Sequence, residues 1–340
     1  MSRTLACQVS PGEVWAALEE DGELIGLRVA REGDVLGGVF LGRIVALRPE
    51  LPAVLVDIGA GRAGFLDARD VDRKRGIEGL TEGQALIVEV TKAARADKAA
   101  GLRVLRAGDA RRDACEAAAC DATPPARLDQ PEPAIVRAVR PLLKGDIERV
   151  LVDERGAMIA LRRAYPAFAE RLVFYGDDMP VFEGLGIAEL VDAVLQPRVA
   201  LPGGGAIFIE ATHATTMIDV DGGTRGALAA NRIAAAAIAR QIALRNLAGP
   251  IVIDFVNLKS REDRDKVTAA LKNALAANND ALELLGWTKL GHFELIRPRH
   301  EPPLAELLFE QAADGKWRKT AQTIALEALR SLAREAAARP

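Results

Sequence analysis

Two aspartates carried on two apolar strands constrain this chain more than any other feature. GGAIFIEATHATTMIDVDGG reads as a pair of alternating strands ending on Asp219 and Asp221. TRGALAANRIAAAAIARQIALRNLAG follows, with apolar residues recurring at three and four as on one helix face, and Gly249 with Pro250 stops it. PIVIDFVNLK is then a short apolar strand carrying Asp254. Strand, helix and strand make a βαβ unit, whose strands run parallel and are expected side by side. Ile218-Asp219-Val220 and Ile253-Asp254-Phe255 thus each put a carboxylate near the end of an apolar strand. Two readings follow. A buried carboxylate calls for a partner, because its charge is costly away from water, and a divalent cation between Asp219 and Asp254 supplies one. Equally, an aspartate after a strand caps a helix or makes a turn, and Asp221-Gly222-Gly223 is suited to that.

TMIDVDGG, NRIAAAAIARQIALRNLAGPIVIDF and FELIRPR, in that order and spacing, resemble the catalytic region of the ribonuclease E/G family. The most specific piece runs from Asn231 to Phe255. The resemblance implies that Asp219 and Asp254 bind one Mg²⁺, which activates water to cleave single-stranded RNA; Asp221, two residues past the first ligand, is this chain's own further catalytic candidate. It implies RNA processing or decay, ribosomal RNA included, with a 5′-phosphate and a 3′-hydroxyl as products. The fold it implies is α/β (α+β overall). An OB-fold β-barrel is inserted into a ribonuclease-H-like unit, and a DNase-I-like catalytic α/β unit follows.

At 340 residues the chain has room for two or three units with cores of their own. With 49% hydrophobic and 27% charged residues its composition is that of an ordinary soluble protein. No apolar run reaches membrane-spanning length and the N-terminus lacks a signal-peptide core, so no membrane partner and a cytoplasmic location are expected. Cys7, Cys115 and Cys120 are too few and too ill-spaced for a disulfide framework or a zinc site. The net charge of −3 requires any RNA to meet a local basic patch.

In chain order, residues 1–35 carry two alternating runs around Asp21-Gly22, a hairpin signal, and match the first part of the ribonuclease-H-like unit. Residues 36–106 give five short strands with glycine punctuation, which suits the barrel. By similarity to the family's RNA-binding barrel, Phe65 is a base-stacking residue and Lys98 a phosphate contact, while a second family aromatic is replaced by Leu55. Arg43 is a further RNA-binding candidate. Phe65 also suits a barrel core, and Arg43 and Lys98 suit a solvated surface. Residues 107–133, with four prolines, read as a short helix and a linker. The family's 5′-end sensor has no counterpart there. Residues 134–200 match the second part of the ribonuclease-H-like unit, with Asp146 and Asp153 as a turn residue and a strand end. Residues 201–304 form the catalytic unit, in which Arg297 and Arg299 are phosphate-binding candidates near the metal or else surface turn residues, and His300 stands beside them. Residues 305–340 are a mostly helical tail, whose Ile324, Leu326, Leu329 and Leu332 suit packing against a partner or, equally, a core-facing stripe. The chain has no cysteine after Cys120, so the zinc link of larger relatives is not expected, and any oligomer would form without it.

Two positions depart from the family beside the metal ligands. Asp221 stands where asparagine is usual, and Asn257 where an acid is frequent. A reciprocal exchange of this kind keeps one acid and one amide around the site. The alternative is RNA binding in the same fold without turnover. A third reading takes GGTRG before the helix as an anion site in another phosphate-handling enzyme, but it lacks the Walker lysine and any dinucleotide fingerprint.

Overall fold

The computed structural model describes residues 3–72, 76–94, 98–212, 214–276, 282–299, 301–312 and 316–338. They fall into two compact units. One comprises Met1–Glu32, Pro133–Arg299 and Pro303–Pro340, the other Gly33–Glu132 with His300–Pro302.

The first unit opens with an antiparallel meander, β1 (Arg3–Ser10), β2 (Glu13–Glu20) and β3 (Glu23–Arg31). The left-handed Asp21 and Gly22 turn the second hairpin, where a glycine relieves one of two positive φ angles.

The second unit holds β4 (Val39–Arg48), β5 (Ala53–Asp57), β6 (Gly64–Asp67), β7 (Ala85–Lys92) and β8 (Gly101–Val104). Pairing runs β4-β5-β6-β8-β7 and back to β4, so five strands close a barrel consistent with an OB-fold. Alternation turns Val54, Val56, Leu66, Val88 and Val90 inward, all of them buried. The 107–133 stretch, expected as a helix and linker, is built onto this barrel. Its helix Ala110–Asp121 buries Cys115 against Val39 and Leu105, and β9 (Ala126–Arg127) pairs with Phe40 and Leu41 of β4. Prolines read as a linker here because they interrupt regular structure, yet Cys115 and a two-residue strand suffice to dock the segment.

Back in the first unit, β10 (Arg149–Val152) and β11 (Leu172–Phe174) run parallel to β1, giving the order β11-β10-β1-β2-β3. A second sheet follows, with β12 (Arg198–Ala200), β13 (Ala206–Ala211), β14 (Thr216–Asp221), β15 (Gly249–Asp254), β16 (Glu283–Trp287) and β17 (Phe293–Arg297). Its order is β12-β13-β14-β15-β17-β16. The helix Ala227–Leu244 crosses from β14 to its parallel neighbour β15. Ile218, Ile253, Ile238 and Phe293, each fully buried, form the core between this sheet, that helix and the helix Arg261–Ala276, with Val267 and Leu271 from the latter. Burying one such aliphatic side chain contributes on the order of 2 kcal/mol, so this core fixes the strand ends firmly.

On the terminal helix Ala321–Ala338 the core-facing alternative holds at one position of four. Leu326 is buried, but Ile324, Leu329 and Leu332 are exposed. Polar contacts hold the helix instead: Arg330 reaches Glu13, Arg334 reaches Glu183, and Thr323 donates to the carbonyl of Leu308. Apolar spacing alone did not reveal that Glu13 lies buried beneath. Among the described residues no helix is long and apolar enough to cross a membrane.

Candidate metal centre and RNA-binding surfaces

β14 reads Thr216-Met217-Ile218-Asp219-Val220-Asp221, and its residues alternate between core and open face. Ile218 and Val220 point into the core; Asp219 and Asp221 are exposed. β15 repeats the pattern, with Ile251 and Ile253 buried and Asp254 exposed at its end. The parallel register places Asp219 directly opposite Asp254. Both carboxylates open into a cleft of about 460 Å³ that Asp221, Arg225 and Asn257 also line. The aspartates are therefore adjacent but not buried, and about half of the Asp254 side chain is exposed (52%). A desolvation penalty cannot be what calls for a cation here. The case for one rests on two carboxylates in register at the mouth of a cleft.

Several groups hold the cleft in shape. Asn231 is fully buried on the crossover helix; its Nδ2 donates to the Val256 carbonyl (2.7 Å) and its Oδ1 accepts from the Val256 amide (3.0 Å). One side chain thus fixes the loop that carries Asn257. Gly205, at φ +83°, lies so close to the next turn that a Cβ would stand 2.4 Å from the Asp221 carbonyl oxygen. The Arg225 guanidinium ties the same walls by donating to the carbonyls of Pro202 and Gly204. Asp221 Oδ1 accepts from the Gly223 amide at 2.9 Å, the turn that Asp-Gly-Gly suggested. Among the described residues no hydrogen bond joins Asp221 to Asn257, although both line the cleft.

Arg297 and Arg299 are not brought to the aspartates. β17 runs antiparallel to β15 and pairs Gly249 with Arg297, so Arg297 stands at the start of β15 and Asp254 at its end. Five residues at about 3.3 Å each separate the two ends by roughly 17 Å. Arg297 is buried, donating to Asn246 Oδ1 (2.8 Å) and the Leu247 carbonyl (2.9 Å). Arg299 packs over Gly249 and pairs with Glu306 at 3.4 Å. The placement near the metal is thus corrected: these arginines brace the far end of the sheet. His300 lies outside the described residues.

The residue that does meet Asp254 is His292. The pairing of Ile253 with Phe293 carries the register one step on to Asp254 and His292, and Nε2 stands 3.9 Å from Asp254 Oδ1. Reading the sequence missed it because a histidine at a strand start carries no pattern, and only the β15–β17 register reveals its neighbour. Asn231 had a weak signal, as an amide on the otherwise apolar face of its helix. Among the described residues no three His, Cys, Asp or Glu side chains converge into a ready metal cage.

On the barrel, Phe65 is 36% exposed and pairs across strands with Leu55, on the outer face. Leu55, the position at which a second aromatic is expected from the resemblance, is therefore next to Phe65. Arg43 is exposed on β4 and donates to the Pro124 carbonyl at 3.0 Å, and Lys98 is exposed in the loop before β8. The barrel-core alternative for Phe65 does not hold, since Val54, Val56 and Leu66 fill the interior.

The profile of the Ribonuclease E/G family matches residues 74–300. Ribonuclease E of Haemophilus influenzae is 26% identical over 90% of this chain and 42% of its own length. Ribonuclease G of the same organism is 26% identical over 97% of this chain and 87% of its own. Ribonuclease E of Nostoc sp. is 34% identical over 54% of this chain and 29% of its own. The chain thus spans less than half of these ribonuclease E proteins but most of that ribonuclease G.

Proposed function

Since this chain belongs to the ribonuclease E/G family, we propose that it is a Mg²⁺-dependent endoribonuclease acting on single-stranded RNA. The observation that carries the reading is the pairing of Asp219 with Asp254 across adjacent parallel strand ends, at the mouth of one cleft. The donor set fits Mg²⁺. Two exposed carboxylates offer hard oxygen ligands and leave room for the waters this ion keeps, so no protein cage is required. When bound, Mg²⁺ offsets charge developing on the phosphate and makes water a stronger nucleophile.

The chain's own groups have separate tasks. Asp219 and Asp254 hold the ion, and the Asn231 amide keeps the loop beyond Asp254 in place. Asp221 shapes the turn through Gly223 and leaves its second oxygen facing the cleft as a positioning group. On the barrel unit, Phe65 stacks a base, and Arg43 and Lys98 meet phosphates. Arg297 and Arg299 contribute through the fold. The order and directions of β3-β2-β1-β10-β11 support a ribonuclease-H-like unit, and the family resemblance supports a DNase-I-like reading of the second sheet.

A second reading is RNA binding without turnover. Leu55 beside Phe65 and the engagement of Asp221 in its own turn favour it. A fluorescent single-stranded RNA incubated with the protein, with and without Mg²⁺, separates the two. Mg²⁺-dependent cleavage lost in Asp219→Asn supports the enzyme. Tight binding with intact RNA supports the second reading.

A further inference from the structure

His292 continues the row of side chains begun by Asp219 and Asp254. Asp219 and Asp254 lie at the ends of the neighbouring strands β14 and β15, and His292 immediately before β17, with Nε2 3.9 Å from Asp254 Oδ1. We propose that His292 gives Nε2 to the cation held by Asp219 and Asp254, and that this nitrogen donor turns the site toward first-row transition dications such as Mn²⁺. This rests on the ribonuclease reading above.

The backbone around His292 is firmly held. The Thr288 amide donates to the His292 carbonyl (2.8 Å), and the His292 amide donates to Thr288 Oγ1 (3.2 Å). The next residue, Phe293, is fully buried with its ring edge-on to Trp287 at 5.4 Å. Movement is thus left to the side chain, which is about one-third exposed (31%) beside Asp254. Two neighbouring ligands of one ion, at bonds of about 2.1 Å, stand about 3 Å apart. Nε2 therefore has about 1 Å to close, within reach of a rotation about the histidine's own bonds. As they stand, the three groups do not form a finished cage.

The chemical consequence follows from donor type. Mg²⁺ prefers oxygen and retains water, so an imidazole adds little to its binding. Transition dications accept imidazole nitrogen readily, and later members of the row more so. A site of two carboxylates and one imidazole therefore discriminates against Mg²⁺, where two carboxylates alone do not.

Mn²⁺ is the probe, because pulsed electron paramagnetic resonance detects nitrogen bound to it directly. The intact chain is loaded with Mn²⁺ with and without ¹⁵N-histidine. The expected result is a ¹⁴N modulation that changes to the ¹⁵N frequency on labelling and is lost in His292→Gln and His292→Leu. Those variants should weaken Mn²⁺ by about tenfold or more while shifting Mg²⁺ little. The labelling result needs no substitution, so a variant that fails to fold does not blunt the test. Mn²⁺ bound with oxygen donors only, and released in Asp219→Asn, overturns the role of His292 and leaves the two-aspartate ribonuclease standing. A ¹⁵N coupling that survives in folded His292→Gln also overturns it. If wild-type protein binds no Mn²⁺, the role of His292 and the metal part of the ribonuclease reading fall together.

Discussion

Asp254 and Asp153 both sit where a strand of a parallel pair runs out, β15 beside β14 and β10 beside β1, yet their surroundings are opposite. Asp254 stands beside Asp219 at the mouth of an open cleft. Asp153 faces no second acid in register: Cys7 pairs with Val152, which brings buried Gln8 alongside Asp153, whose Oδ1 accepts from the Val9 amide at 2.8 Å. Burial pushes the Asp153 carboxyl up to about 6, against the pull of that amide, and burial with the nearby Asp153 charge pushes the Cys7 thiol up as well. An acid at a strand end is thus not a metal site by position. The proposed site also has a second acid in register and an opening to water, and of these two strand pairs the one in the second sheet combines both among the described residues.

The sharpest break of this contrast is by amide substitution at the two ends. Asp219→Asn and Asp254→Asn should each lower Mg²⁺-dependent RNA cleavage on the order of a thousandfold, as metal assistance is worth several kcal/mol. RNA affinity, measured by fluorescence anisotropy, should hold or rise. Asp153→Asn should leave cleavage within a fewfold of wild type. Full activity in Asp219→Asn, or its loss in Asp153→Asn, would reverse the assignment of the two sheets.

Next in size is the support behind Asp254. Asn231→Ala removes both bonds to Val256 in a fully buried position. Leaving a buried amide and carbonyl unpaired should cost about 2–3 kcal/mol in urea denaturation. Cleavage at conditions where the variant is folded should also fall, because the loop carrying Asn257 loses its tie. Unchanged stability would mean that the tie is not formed in solution.

Much of this contrast was legible in the residue pattern. The period switch from two to 3.6 and back to a short apolar run gives β14, its helix and β15, and hence Asp219 beside Asp254. What escaped is everything set by pairing between strands distant in sequence. FELIRPR shows a strand but not its direction against β15, so Arg297 and Arg299 were expected near the metal when they brace the opposite end. The same register hides His292. The exposure of the carboxylates is also hidden in the sequence: Ile218 and Val220 flank Asp219 and make the segment look wholly apolar, while alternation puts both of them on the core face and Asp219 on the open one.

A smaller effect separates the two acids by pH. Asp153 has a folded value near 6 against an ordinary 3.8. A carboxyl raised in this way contributes stability that is fully present below its unfolded value and lost as pH rises through its folded value. Wild-type stability should therefore decline by on the order of 2 kcal/mol between about pH 4 and pH 6 from this group. Asp153→Asn should flatten that decline in denaturant titrations run at several pH values. A slope unchanged by the substitution would show that the carboxylate is solvated in the native state, as Asp254 is.

The smallest effect tests whether the open cleft acts as one coupled set. Asp221 and Asn257 stand exchanged relative to the family pattern, which invites a direct partnership of acid and amide. The geometry argues against a direct bond: Asp221 Oδ1 is taken by Gly223, and no hydrogen bond to Asn257 occurs among the described residues. Asp221→Asn keeps a carbonyl oxygen for the Gly223 amide, so the turn should survive and cleavage should fall only a fewfold. Asn257→Asp adds a carboxylate to a cleft that already holds three and should also weaken activity modestly. Residues without a shared bond usually combine additively to within about 0.5 kcal/mol, so the double variant should lose roughly the product of the two factors. Activity recovered in the double variant would mean that Asp221 and Asn257 meet once RNA and metal are bound. The reciprocal exchange would then be a working device of the site.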